Sequence, residues 1–99
     1  MRLKPEQIER IRDIVHELVG YQAEVRLFGS RLDDTARGGD IDVFVCVPYA
    51  VEEPALLTAR IAGRLSRALD GRKVDVVLAA PNLKVLPIHE AARREGVPL

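Results

Sequence analysis

The chain has one cysteine in 99 residues, equal numbers of acidic and basic side chains, and no apolar run of membrane-spanning length. Each lack excludes something. A lone Cys46 cannot form an internal disulfide, and its setting in "VFVCV" reads as a small buried hydrophobe rather than a reactive thiol. Fifteen Lys and Arg against fifteen Asp and Glu leave no net charge, so binding to nucleic acid by bulk charge is not expected. The opening "MRLKPEQIER" is charged throughout and has no secretory pattern, and no segment reaches about 20 apolar residues, so a cytoplasmic protein without membrane contact is expected. No internal repeat, low-complexity stretch or linker divides the chain. Residues 1–99 read as a single domain with a small core and little room for a second functional lobe.

What is present is a clear alternation of patterns. "KPEQIERIRDIVHELVGY" places Pro5 near a helix start, repeats Ile8, Ile11, Val15 and Leu18 at helical spacing, and reaches Gly20. "EVRLFGS" predicts a short strand running into a glycine turn, and "DIDVFVCV" a second strand, central because it is apolar on both faces beyond its start. "EEPALLTARIAGRLSRALDG" steps Leu57, Ile61, Leu65 and Leu69 along one helix face and stops at Gly71. "KVDVVLAA" predicts a third strand, and "LPIHEAARREG" a last helix with Pro87 at its start and Gly96 at its end.

The helix between the second and third strands is a crossover, which makes those strands parallel and the connection right-handed. The first two strands are joined by a loop with at most a turn of helix, so they pair antiparallel. The expected fold class is α+β, a small mixed sheet flanked by helices.

That topology gathers charge. Asp40 and Asp42 begin the second strand on one face, and Asp75 lies near the start of the third. Parallel strands joined by a crossover start at the same end of the sheet, and an antiparallel first strand finishes there, with Gly29 and Ser30. Three clustered carboxylates repel one another unless a cation sits among them. Mg²⁺ takes one or two carboxylates plus substrate phosphates, and a pair of ions suits phosphoryl or nucleotidyl transfer. Gly29 allows close backbone approach to a phosphate, Ser30 offers a hydroxyl and an N–H, and Arg31 and Arg37 add positive charge. Asp-x-Asp alone is common at solvated strand ends, and Gly-Ser alone is commoner. The joint order is specific: strand, Gly-Ser, nine residues, Asp-Ile-Asp-Val on a strand, then an apolar-flanked Asp on another.

Those residues carry a resemblance. "LFGSRLDDTARGGDIDVFV" resembles the signature of the DNA polymerase beta-like nucleotidyltransferase superfamily, and the chain is similar in length and in its ending "PIHEAARREGVPL" to the minimal nucleotidyltransferases, or MNT domains. The resemblance implies that Asp40 and Asp42 bind two Mg²⁺ ions, that Asp75 completes one metal site and helps activate the nucleophile, and that Gly29 and Ser30 hold the nucleoside triphosphate, ATP; Arg31, beside them in sequence, is a further nucleotide-binding candidate. It also implies an antitoxin that transfers AMP to a hydroxyl, a tyrosine, of a HEPN-family toxin. The alternative is a non-catalytic antitoxin or nucleotide-binding module that works by occlusion; transfer to a small molecule is a weaker reading, because nothing corresponds to a lobe that would hold one. His16, His89 and the arginines Arg60, Arg64 and Arg67 are expected on solvated helix surfaces.

Overall fold

The structure, a computed structural model, describes residues 3–28 and 41–99. Gly29, Ser30, Arg31, Arg37 and Asp40 therefore lie outside the described residues.

The elements follow in the order α1 (Pro5–Val19), β1 (Glu24–Phe28), β2 (Ile41–Cys46), α2 (Pro54–Ala68), β3 (Val74–Ala79), α3 (Pro87–Glu95) and β4 (Val97–Pro98). One sheet holds the strands in the order β3-β2-β1-β4. β1 pairs antiparallel with β2, and β2 pairs parallel with β3. This is the α+β arrangement and the mixed pairing expected from the connection lengths. β4 is short and pairs antiparallel with the outer side of β1.

Alternation along β2 divides the molecule into three layers. Ile41, Val43 and Val45 point to one face, where they join Val25, Leu27, Val74 and Leu78 under α1 and α2. Each helix contributes its apolar stripe: Ile11, Ile14, Val15 and Val19 from α1, and Ile61 and Leu65 from α2. Leu69 follows α2 into the same core. Truncating a fully buried leucine such as Leu65 to alanine costs about 2–5 kcal/mol. The α1 stripe is wider than its Ile8, Ile11, Val15, Leu18 spacing suggests. Ile14 and Val19 are buried, while Ile8 and Leu18 are only half-buried.

The opposite face carries a smaller cluster. Phe28, Phe44 and Ala92 form it, with Cys46, Val77 and Ala79 packed around them. Ala92 belongs to α3, so this nine-residue helix is the only α-helix among the described residues on that side. Cys46 is partly exposed rather than buried, because so short a helix covers only part of the sheet face. The Arg93 guanidinium lies 3.4 Å from its Sγ and 5.6 Å from the Phe44 ring centroid, a cation–π contact.

Three local devices hold the connections. After α2 the chain turns through Asp70 and Gly71, both at positive φ, and Gly71 N–H returns to Ser66 O at 2.8 Å. Asn82 clamps the segment before α2, accepting from Val51 N–H at 2.9 Å and donating to Val51 O at 2.7 Å. Gly96 lets α3 close against β1: a Cβ there would stand 2.3 Å from Ala92 O and 3.0 Å from Arg26 Cβ.

Both histidines differ from the solvated surface placement expected of them. His16 is half-buried, with Nε2 3.2 Å from Ala23 O. His89 is half-buried and bonded at both ring nitrogens. Leu86 N–H donates to Nδ1 at 2.8 Å, and Nε2 lies 3.0 Å from Leu78 O. Accepting at Nδ1 needs a lone pair there, which leaves Nε2 as the donor to Leu78 O. Arg64 does lie on the outer side of α2, where it pairs with Glu17 of α1 in an exposed ion pair worth at most about 1 kcal/mol.

Candidate active site

The register places one row of side chains across three strands. Phe28 is opposite Asp42, and Asp42 is opposite Asp75. Residues opposite one another share a face, and this row shares the face of Phe44 and Ala92. Neighbouring strands lie about 4.8 Å apart, so Asp42 and Asp75 stand side by side at the starts of two parallel strands. The expected meeting of the two strand starts is therefore present for these two carboxylates.

Burial falls along the row. Phe28 is buried, Asp42 half-buried and Asp75 exposed. The helix α3 accounts for the covered end, since Ala92 clusters with Phe28 and Phe44. Solvent reaches Asp75 at the β3 end. Among the described residues no group of three or more metal-ligating side chains comes together. Asp42 and Asp75 form a pair, and Asp40, the third expected member, lies outside the described residues, as do Gly29, Ser30 and Arg31.

A small cavity of about 80 Å³ lies elsewhere, at the far end of β3, lined by Ala79, Leu83, Lys84, His89 and Arg93 among others. It holds no carboxylate of the row and is separated from Asp75 by the length of the strand. Among the described residues no helix is long and apolar enough to cross a membrane.

A pair of carboxylates at adjacent strand starts, one half-buried and one exposed, suits oxygen-ligated divalent cations and phosphate substrates. The comparisons agree with that chemistry. The nucleotidyltransferase domain family matches residues 8–95, and the chain belongs to it. Among solved structures, the fold is similar to a chain of the tri-AMPylated Shewanella oneidensis HEPN toxin in complex with MNT antitoxin, with a TM-score of 0.68 and 18% identity over 97% of this chain and 71% of that one. It is likewise similar to a chain of a toxin-antitoxin structure with AMP-PNP, with a TM-score of 0.65 and 20% identity over 97% and 72%. No curated protein matches the chain in sequence.

Proposed function

We propose that the chain transfers AMP from ATP, with Mg²⁺, to a tyrosine hydroxyl of a HEPN-family toxin, and so acts as that toxin's antitoxin. The observation that carries this reading is the register of Asp42 against Asp75 on parallel strands, within a domain of the nucleotidyltransferase family. The fold neighbours support it, since one is an AMPylated HEPN toxin in complex with an MNT antitoxin and another contains AMP-PNP.

Asp42 and Asp75 fit a divalent cation by donor type and by adjacency. Asp40, two residues before Asp42, is the third proposed ligand, and the three together would hold two Mg²⁺ ions. Bound there, the metal supplies charge neutralisation for the polyphosphate and a fixed relation between attacking and leaving oxygens. Gly29, which follows Phe28 directly in sequence, Ser30 and Arg31 are the proposed triphosphate anchors. Asp75, which is exposed, takes the proton of the acceptor hydroxyl. The hydroxyl oxygen bonds to the α-phosphorus, the bond from that phosphorus to the bridging oxygen breaks, and pyrophosphate leaves with the electron pair. Positioning of the two reactants carries much of the rate in such a transfer.

The test is mass spectrometry of the partner after incubation with this protein, ATP and Mg²⁺. A gain of one AMP unit per transfer is expected, with none for Asp75→Asn. A partner that stays unmodified yet is inhibited equally by both proteins establishes occlusion instead.

A further inference from the structure

We propose that Val77, Ile88 and Ala91 form an apolar shelf beside Asp75 that takes the aromatic ring of the acceptor tyrosine, and so selects a phenol over a short aliphatic hydroxyl. The proposal rests on the transferase reading above and names what orients its acceptor.

The shelf follows from the course of α3. Near the start of the helix, His89 Nε2 lies 3.0 Å from Leu78 O on β3. Just past its end, a Cβ on Gly96 would stand 3.0 Å from Arg26 Cβ on β1. Between the two, Ala92 packs with Phe44 of β2. The helix rises about 10.5 Å from His89 to Gly96, and two strand spacings are about 9.6 Å. α3 therefore lies across the strands, over the row Arg26, Phe44 and Val77. The row Phe28, Asp42 and Asp75 runs on one side of it, and the row Glu24, Cys46 and Ala79 on the other.

The two flanks of the helix differ. His89, Glu90 and Arg93 line the cavity together with Ala79, and Arg93 reaches Cys46 Sγ, so that flank looks away from the carboxylates. Ala92, fully buried, points down at the sheet. Successive helical residues turn by about 100°, which puts Ile88, Ala91 and Glu95 on the opposite flank, toward the carboxylate row. Ile88 stands at the β3 end of the helix, nearest Asp75, with Ala91 a turn further on. The carboxylate row is two residues along the strands from the row beneath α3, about 6.6 Å. A helix with its side chains reaches about 5–6 Å from its axis, so this flank overhangs the carboxylates. Ile88 is 44% exposed, and Val77 and Ala91 are half-buried. Apolar surface is thus left open next to a charged pair.

Asp75 takes the proton of the acceptor hydroxyl in the proposed transfer, so the side chains around it meet the acceptor residue. Val77, the next residue on the same face of β3, is the floor, and Ile88 and Ala91 are the wall. Such a corner suits a flat apolar body with a polar tip, the ring against the wall and the hydroxyl at Asp75. A serine or threonine carries its hydroxyl on Cβ, so its backbone would have to enter the space under α3. A phenol carries its hydroxyl at the far end of a rigid ring and reaches in from outside.

Steady-state transfer by the wild-type protein, Ile88→Gln and Val85→Gln, with ATP, Mg²⁺ and the HEPN partner as acceptor, tests this. Ile88 and Val85 are both exposed, so neither change is expected to move the melting temperature. Ile88→Gln is expected to raise KM for the partner by about fivefold or more with ATP affinity unchanged, and Ile88→Leu to keep the wild-type value. Val85→Gln, on the cavity flank, is expected to match the wild type. Equal KM for Ile88→Gln and wild type, an equal rise in both glutamine variants, or AMP found on a serine or threonine overturns the shelf and leaves the transferase reading intact. Weaker ATP binding by Ile88→Gln assigns the surface to the nucleotide base and overturns its role toward the acceptor. A partner that the wild type never modifies overturns both readings.

Discussion

Replacing Asp75 by Asn separates the two demands made on the carboxylate row. Asp42 and Asp75 are opposite one another on adjacent strands, with about 4.8 Å between backbones. Two unit charges about 5 Å apart repel by about 0.8 kcal/mol at the permittivity of water. Asp75 is exposed, so this value is the relevant one, and salt reduces it further. The substitution keeps shape and hydrogen-bonding capacity while removing one charge. In EDTA at low salt, Asp75→Asn is therefore expected to melt at or above the wild-type temperature. The gain is bounded by roughly 3–6 °C for a domain of this size.

If Asp75 ligates the metal as proposed, the order is expected to reverse with Mg²⁺ and ATP. A ligand at 100 times its dissociation constant stabilises the native state by about 2.7 kcal/mol, and the variant, short of one ligand, binds more weakly and gains less. Differential scanning calorimetry in both buffers, beside a transfer assay, reads the crossing. The expected pattern is a variant that is equal or more stable without metal, less stable with it, and inactive in transfer. A variant that melts below wild type in EDTA shows that Asp75 serves the fold. Equal Mg²⁺ shifts in the two proteins show that it does not touch the metal.

Other substitutions probe the supports of the site. Gly96→Ala drives a Cβ to within 2.3 Å of Ala92 O, a backbone atom, so a loss of about 1–3 kcal/mol is expected in the denaturant midpoint; an unchanged midpoint refutes the close packing of α3 on β1. His89→Leu removes one exposed and one part-buried hydrogen bond, to Leu86 N–H and Leu78 O, and is expected to cost about 0.5–1.5 kcal/mol, read by urea denaturation; no loss refutes the tether. Ser30→Ala is expected to weaken nucleotide binding in a fluorescence titration, and equal affinity assigns the phosphate contact elsewhere, with Arg31 next.

The sheet was legible in the sequence because connection length decides strand direction. A short connection between β1 and β2 and a helix between β2 and β3 leave one economical pairing, and that pairing is the one found. The adjacency of Asp42 and Asp75 followed from it without reference to any side-chain packing. Less was legible where one element serves two neighbours. α1 packs against both the sheet and α2, so Ile14 and Val19 are buried beside Ile11 and Val15, and a single four-residue step undercounts the stripe. His89 was hidden by its type, since a polar residue in the first turn of a helix reads as solvated. The available signal was its position three residues after Leu86, where a side chain accepts the N–H of the residue before the helix. The partial exposure of Cys46 depended on how far α3 extends over the face, which no residue pattern within β2 records.

The direction of the carboxylates is set by the core beneath them. Ile41, Val43 and Val45 are almost fully buried, and they alternate with Asp42, Phe44 and Cys46 on the other face. A slip of β2 by one residue would turn Asp42 into the apolar layer under α1 and α2 and expose all three aliphatic side chains. Burying a carboxylate in that apolar layer costs several kcal/mol, and exposing each aliphatic side chain about 1.5–3 kcal/mol. The same alternation holds in β3, where Val74 and Leu78 are buried while Asp75 faces the other way. Register is thus specified on both strands by residues that take no part in the chemistry. A row that is fixed from below keeps its direction whatever covers its other side.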